Sequence, residues 1–364
     1  MSPTRFGYAF PAIRGIQASR EYFISMCPLR LIPKVFLFDE DELVPEMRAQ
    51  RTLNKGRIPE LARYIVDNPK DYVFSALTAS IDAEVRFEST DDADATNRMG
   101  VLHVPMDARF IINDGQHRRA AIERALSENP DLADETIAIV FFLDVGLKRC
   151  QQMFADLNRH AIRPSRSIGV LYDHRDDRAA IVRLMVLHSE FFKGLVEMER
   201  SALSPRSRKL FTLSAIYHAT KTLLADSDFK TRDDAAAAAR AYWEAVAANI
   251  PEWQKVRKGA MTSGEVRREF IHSHGVMLQA FGSVGRALFA ESRTGLKKRL
   301  APLSKINWSR DNAKLWEGRA MSAGRVHKAG QNVLLSACVI KKALKITLTD
   351  EEKMIERSFA RGRS

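Results

Sequence analysis

Cysteine is scarce. There are three, Cys27, Cys150 and Cys338, far apart and odd in number. No CxxC pair exists, which excludes a zinc knuckle and a disulfide framework. Each reads as a small buried hydrophobe. Cys27, followed by Pro28 and near Arg30 and Lys34, is the one for which a thiol role stays open. No apolar run approaches the roughly 18 residues of a membrane span. Met1 to Phe10 lacks the basic-then-apolar pattern of a secretory signal, so a cytoplasmic protein without a membrane partner is expected. Internal repeats and heptad arrays are missing, as are the P-loop, G-x-S-x-G and H-E-x-x-H motifs. No paired-carboxylate metal site stands out, and no metal is assigned.

What is present is a globular composition on a basic chain. The 364 residues are 45% hydrophobic and carry a formal net charge of +12. That length suits two ordinary domains or one large one. A charge of this size points to a polyanion, nucleic acid or nucleotide, against the plainer alternative of a merely basic soluble protein.

Patterning divides the chain near residue 170 into an α/β domain over 1–170 and a mainly helical domain over 171–364. In the first, the apolar run 29–38 predicts a strand interrupted by Pro33. Ile58, Leu61, Ala62 and Ile65 recur at helical spacing, with Pro59 in the first turn. Residues 71–81 predict a strand and 89–98 a polar loop. A hairpin is expected from 101–104 and 108–112 around Pro105, Met106 and Asp107. A helix carrying Ala121, Ile122, Ala125 and Leu126 follows, then a buried strand over 136–145 and a helix over about 147–157. Beyond residue 178 the patterns are helical. Asp234 to Ala248 is alanine-rich, and Thr349 with Glu352 forms a T-x-x-E capping box opening a last helix.

One stretch carries chemistry, Phe110 to Ile122, which reads as strand, tight turn at Asn113-Asp114-Gly115, then helix. Glycine at 115 permits a backbone that other residues resist. The new helix offers free N–H groups where an anion can sit. Gln116, His117, Arg118 and Arg119 occupy its first turn. Two guanidiniums there oppose the helix dipole. Either a bound phosphate reconciles them, or they pair with carboxylates such as Asp114 and Glu123.

Asp114-Gly115-Gln116-His117-Arg118 is the DGQHR signature, and the chain resembles the DGQHR-motif family. Phe154 to Arg159 is similar to that family's F-x-x-L/I-N element, and Gln50 to Arg57 with Tyr64 and Ile65 to the segment before its first helix. The segments 267–275 and 308–337 resemble the DndB branch, so the resemblance spans almost the whole chain. It implies an α+β protein with a ParB/sulfiredoxin-like N-terminal domain, a superfamily whose G-x-R-R turn binds nucleotide phosphates, and a helical C-terminal domain. It implies a repressor of genes for DNA phosphorothioate modification, acting on double-stranded DNA of its own operon promoter. It also implies nucleotide binding or hydrolysis, with ATP or another NTP and Mg as the cofactor. On that reading Gly115, Gln116, His117, Arg118, Arg119, Asn158, Arg159 and Arg57 hold nucleotide or phosphate. If the pocket is an NTPase or DNA-nicking enzyme, Asp114, Gln116 and His117 are its catalytic candidates. A homo-oligomer is compatible with all of this.

For DNA phosphates two basic clusters are candidates: Arg206, Arg208 and Lys209, and the acid-free run 293–310 with Lys297, Lys298, Arg299 and Lys305. A solvated helix face is the plainer alternative for each. Residues 262–287 have room for a helix-turn-helix, with Gly275 or Gly282 at the turn. His272 and His274 read as core or capping histidines rather than metal ligands. Asp173, His174, Asp176 and Asp177 read as a solvated linker.

Overall fold

The structure, a computed structural model, describes residues 7–36, 55–90, 98–143, 152–153, 156–157 and 164–361. Among them are 14 α-helices and 11 strands, an α+β architecture. The chain separates into two compact units, Met1–Ile162 and Arg163–Ser364.

The first unit is built on one mixed sheet of seven strands: β1 Gly7–Gln17, β2 Arg20–Pro28, β3 Leu77–Asp82, β4 Arg86–Ser89, β5 Met99–Pro105, β6 Arg109–Asp114 and β7 Thr136–Leu143. Their order is β4-β5-β1-β2-β7-β3-β6, and the pairing of β3 with β7 is parallel. Alternation sorts β5 and β7: Ile137, Ile139 and Phe141 of β7 point into the core, as do Leu102 and Val104 of β5. Helices α2 Ile58–Asp67 and α3 Gln116–Glu128 place Ala62, Ile65, Ala121, Ile122 and Ala125 in the same core. The sheet curls enough for Phe110 of β6 to pack edge-on against Tyr8 of β1, centroids 5.7 Å apart.

Two expectations fail here. Residues 29–36 are a 3₁₀ turn, Leu29–Leu31, followed by the short helix α1 Ile32–Val35. Leu29, Ile32, Val35 and Phe36 are the buried positions, which is helical spacing. Pro33 suits a helix's first turn, where its missing N–H is not needed. The segments 101–104 and 108–112 are strands, but not a hairpin. β5 pairs with β1 and β4, whereas β6 pairs with β3. The chain does reverse at Pro105, with Ala108 N–H bonded to its carbonyl, and then leaves for the far edge of the sheet. The strand expected over 71–81 begins only at Leu77. Most of the expected loop 89–98 and helix 147–157 lies outside the described residues, as does Cys150. Cys27 is fully buried and its thiol is pushed up to about 11, so it packs as a hydrophobe.

The second unit is helical: α4 Arg166–Tyr172, α5 Asp177–His188, α6 Leu213–Leu223, α7 Arg232–Ala248, α8 Pro251–Arg257, α9 Ser263–Glu269, α10 Gly275–Glu291, α11 Leu296–Arg299, α12 Ala313–Trp316, α13 Gly330–Ala343 and α14 Asp350–Arg361. Its centre is α10, where 10 of 17 residues are buried. Helices α6 and α13 pack against it. At Gly282 the approach is backbone to backbone: a Cβ there would lie 2.2 Å from the carbonyl oxygen of Ala219. The capping box before α14 forms as expected. Glu352 N–H donates to Thr349 Oγ1, and Thr349 N–H to Glu352 Oε2.

The helix-turn-helix reading of 262–287 holds only in part: Gly282 lies inside α10, whereas Gly275 opens it directly after the turn that follows α9. With 10 of its 17 residues buried, α10 has little free face to lay in a DNA groove.

Candidate functional site

Strand β6 ends at Asp114, and the chain enters α3 through Gly115, whose φ is +106°. Glycine is needed twice over. That φ is costly with a Cβ, and a Cβ would lie 2.4 Å from Leu77 Cδ2. As the N-cap residue it offers no side-chain oxygen to the N–H groups of the first turn.

The two guanidiniums behave differently. Arg118 is mostly buried. Its Nη2 donates to Asp114 Oδ2 at 2.6 Å, its Nη1 to Ser75 Oγ, and its buried Nε has no partner. Arg119 turns to the other side of α3. Its Nε donates to the Phe36 carbonyl at 3.0 Å, and it also reaches the Pro33 carbonyl and Glu123. Arg119 therefore fastens the segment around α1 to α3. The carboxylate pairing that competes with phosphate is thus present at both arginines.

Gln116 is buried, with its amide donating back to the Ile112 carbonyl at 3.4 Å. Beneath the turn, Asn113 is fully buried; it donates to Ser80 Oγ at 2.7 Å, while its own Oδ1 lacks a partner. His117 is half-buried. Burial first, then the charge of Arg57, lowers its pKa from the ordinary value, so the ring is neutral at pH 7. Arg57 closes the turn before α2 and is exposed. The structure thus gathers Arg57, His117, Arg118 and the start of α3, and directs Arg119 and Gln116 elsewhere. Asn158, Arg159 and Arg51 lie outside the described residues. The sequence does not single out Ser75 or Ser80. Each sits more than 30 residues from its partner, and no local pattern marks it.

The basic clusters of the second unit divide as well. Arg206 and Arg208 are exposed, while Lys209 Nζ donates to the Gly194 carbonyl at 3.0 Å. Lys297, Lys298 and Lys305 are exposed. Arg299 is held by Glu291 and by the carbonyls of Leu288 and Ser292. Arg293 lies over the ring of Phe229, 4.1 Å from its centroid, and Arg310 bonds His274 and the Arg267 carbonyl.

The histidines are structural. His272 is fully buried and accepts from Trp253 Nε1 at 2.9 Å, leaving Nε2 to face Glu252 at 3.3 Å. His274 precedes α10, and burial holds it down at about 4. No metal-binding group of His, Cys, Asp and Glu occurs among the described residues. Asp173 and Asp176 are caps: Asp176 accepts from the N–H groups of Arg178 and Ala179 at the start of α5, and Asp173 from those of Arg175 and Asp176. No helix among the described residues is long and apolar enough to cross a membrane.

No curated protein and no solved structure matches the chain. A family model does, over residues 10–347: DndB, described as DNA-sulfur modification-associated. With nearly the whole length matched and the glycine turn in place, the chain belongs to the DndB family and to the DNA sulfur modification system.

Proposed function

We propose that this protein is a DNA-binding regulator, a repressor of phosphorothioate-modification genes, that grips double-stranded DNA of its own promoter through the second unit. The observation that carries the reading is the exposed lysine set Lys297, Lys298 and Lys305 in an acid-free stretch, on a chain of net charge +12. Arg206 and Arg208 add to it. Such contacts position a protein on DNA and make affinity salt-dependent. The first unit acts as a ParB/sulfiredoxin-like module in which the Gly115 turn takes a nucleotide phosphate, held by the α3 N-terminus, Arg57 and Arg118.

The test is binding to the DNA upstream of its own gene, and to unrelated DNA, across a salt series. Replacing Lys297, Lys298 and Lys305 by alanine should flatten the log–log slope by up to about 3, near 0.9 for each phosphate that is no longer neutralised. Wild-type slope and affinity in that variant, or no preference for the upstream DNA, overturns the reading. Arg118→Ala should weaken nucleotide binding roughly tenfold or more, the scale of a charge-assisted bond.

A second reading, nucleotide turnover, draws on the neutral His117 beside the turn, a ring able to accept a proton. Against it, the Asp114 carboxylate is engaged by Arg118. Phosphate release by wild type and His117→Ala, measured together, separates binding from hydrolysis.

A further inference from the structure

The second unit contains a cavity of about 670 Å³ whose lining has no acidic side chain. Arg166, Arg267, Arg268 and Lys328 line it, with His218 and His274, between the N-terminus of α4 and that of α10. A single volume of this size is in the range of small-molecule sites, roughly 300–1,000 Å³.

Four observations there share one explanation. First, Lys328 sits over the start of α10: its Nζ lies 3.8 Å from where a Cβ on Gly275 would be. An ammonium at that end of a 17-residue helix opposes the dipole. The first turn of α10 has no acidic residue, and its N-cap side chain makes no capping bond. Second, the cations disfavour one another. Burial and the nearby Arg166 lower the pKa of Lys328, and burial, Lys328 and Arg166 lower that of His218. Third, Ser273 lines the cavity, is only 6% exposed, and its hydroxyl has no hydrogen-bond partner. A buried hydroxyl left unpaired is costly. Fourth, Arg267 is preset. Its Nε bonds the Ser263 carbonyl, and its Nη2 the carbonyls of Ser204, Pro205 and Ser207, while the buried Nη1 is left without a partner. Each is unfavourable in an empty protein and favourable around an anion. The lining also includes the apolar Leu203, Leu210 and Phe211, which suits an organic group beside the charge.

We propose that this cavity is a separate phosphate-recognition site, built for a phosphorylated organic molecule of nucleotide size. Lys328, Arg166, Arg267 and Ser273 hold its phosphoryl oxygens at the α10 N-terminus. It is distinct from the Gly115 turn, and the proposal does not depend on the regulator reading.

Calorimetric titration of the full chain with ATP and with inorganic pyrophosphate tests it, in the Arg118→Ala background to keep the Gly115 turn from contributing. Saturable binding near one equivalent is expected, weakened at least tenfold by adding Arg166→Ala with Lys328→Ala. Both residues keep much of their surface in solvent, so the fold is expected to survive, which a melting curve checks. Ser273→Ala should weaken binding severalfold. Silence with both probes overturns the proposal, as does binding unaffected by the double substitution. If a short DNA duplex binds through Arg166 and Lys328 while ATP and pyrophosphate do not, the small-anion site is refuted in favour of a DNA-backbone contact.

Discussion

Glu352 and Lys341 form an ion pair almost wholly out of solvent, with side chains 3% and 5% exposed and Nζ 2.6 Å from Oε1. The other carboxylate oxygen takes the Thr349 N–H, so one side chain serves both a buried cation and a helix start. Glu352→Ala removes both. Leaving one partner of a buried pair behind costs about 3–5 kcal/mol, and losing a cap about 1 kcal/mol. Together, about 4–6 kcal/mol is expected, a large part of a domain's usual stability. The double change Lys341→Met with Glu352→Gln removes the stranded charge and keeps a capping acceptor, so it should cost only about 1 kcal/mol. The assay suits the molecule. All four tryptophans, Trp243, Trp253, Trp308 and Trp316, are buried in the second unit, so indole fluorescence in a urea titration reports that unit alone. A loss under about 1 kcal/mol for Glu352→Ala would refute the reasoning. So would a double variant as unstable as the single one, since the pair would then not be what is stabilising.

Ile65→Ala should cost roughly 2–5 kcal/mol, because Ile65 is fully buried. Leu61→Ala should cost about half as much, since Leu61 is only partly covered; equal losses in melts followed by circular dichroism would contradict that placement of α2. Gly282→Ala pits about 1 kcal/mol of better helix propensity against a Cβ driven into the Ala219 carbonyl. A net loss of up to about 2 kcal/mol is expected, and a stabilised variant in the urea assay would disprove the close approach. His274 has its pKa lowered to about 4 from 6.5. As pH falls below about 6.5 the unfolded chain takes up a proton that the folded chain refuses until about 4, so stability present above that window is lost through it. Between about pH 7.5 and pH 5, His274→Asn should lose about 2 kcal/mol less than wild type, from roughly 1.5 pH units at 1.36 kcal/mol each. Equal losses in fluorescence-monitored urea unfolding would contradict the buried neutral ring.

Helices α2 and α3 are legible in the sequence because Ile58 to Ile65 and Ala121 to Ala125 repeat at their own period within one segment. So is the Gly115 turn, and so is the possibility that Arg118 pairs with Asp114, four residues away. Some failures come from distance along the chain, others from ambiguous local signals. Pro105 to Asp107 announces a reversal but not which strand lies alongside, and that choice belongs to β1 and β3. The β1–β2 hairpin turns through Ala18 and Ser19, both at positive φ, without the glycine or asparagine that ordinarily advertises such a turn. Residues 29–36 mislead because five apolar side chains suit a strand or a helix equally well over so short a run. At the site, Ser75 meets Arg118 across 43 positions, and the cations at the cavity come from 166, 267, 268 and 328. Only the fold brings them together.

The strand order has a consequence for how the first unit comes into being. Strand β7 lies between β2, with which it is antiparallel from Tyr22 opposite Phe142 to Pro28 opposite Thr136, and β3, with which it is parallel. Without residues 136–143 the strand order leaves two unjoined pieces, β4-β5-β1-β2 and β3-β6, with the inner edges of β2 and β3 unpaired. The last strand synthesised closes both edges at once. A chain truncated before that point is expected to carry the edges of β2 and β3 as additional templates for strand addition, beyond the β4 and β6 edges that the full sheet keeps.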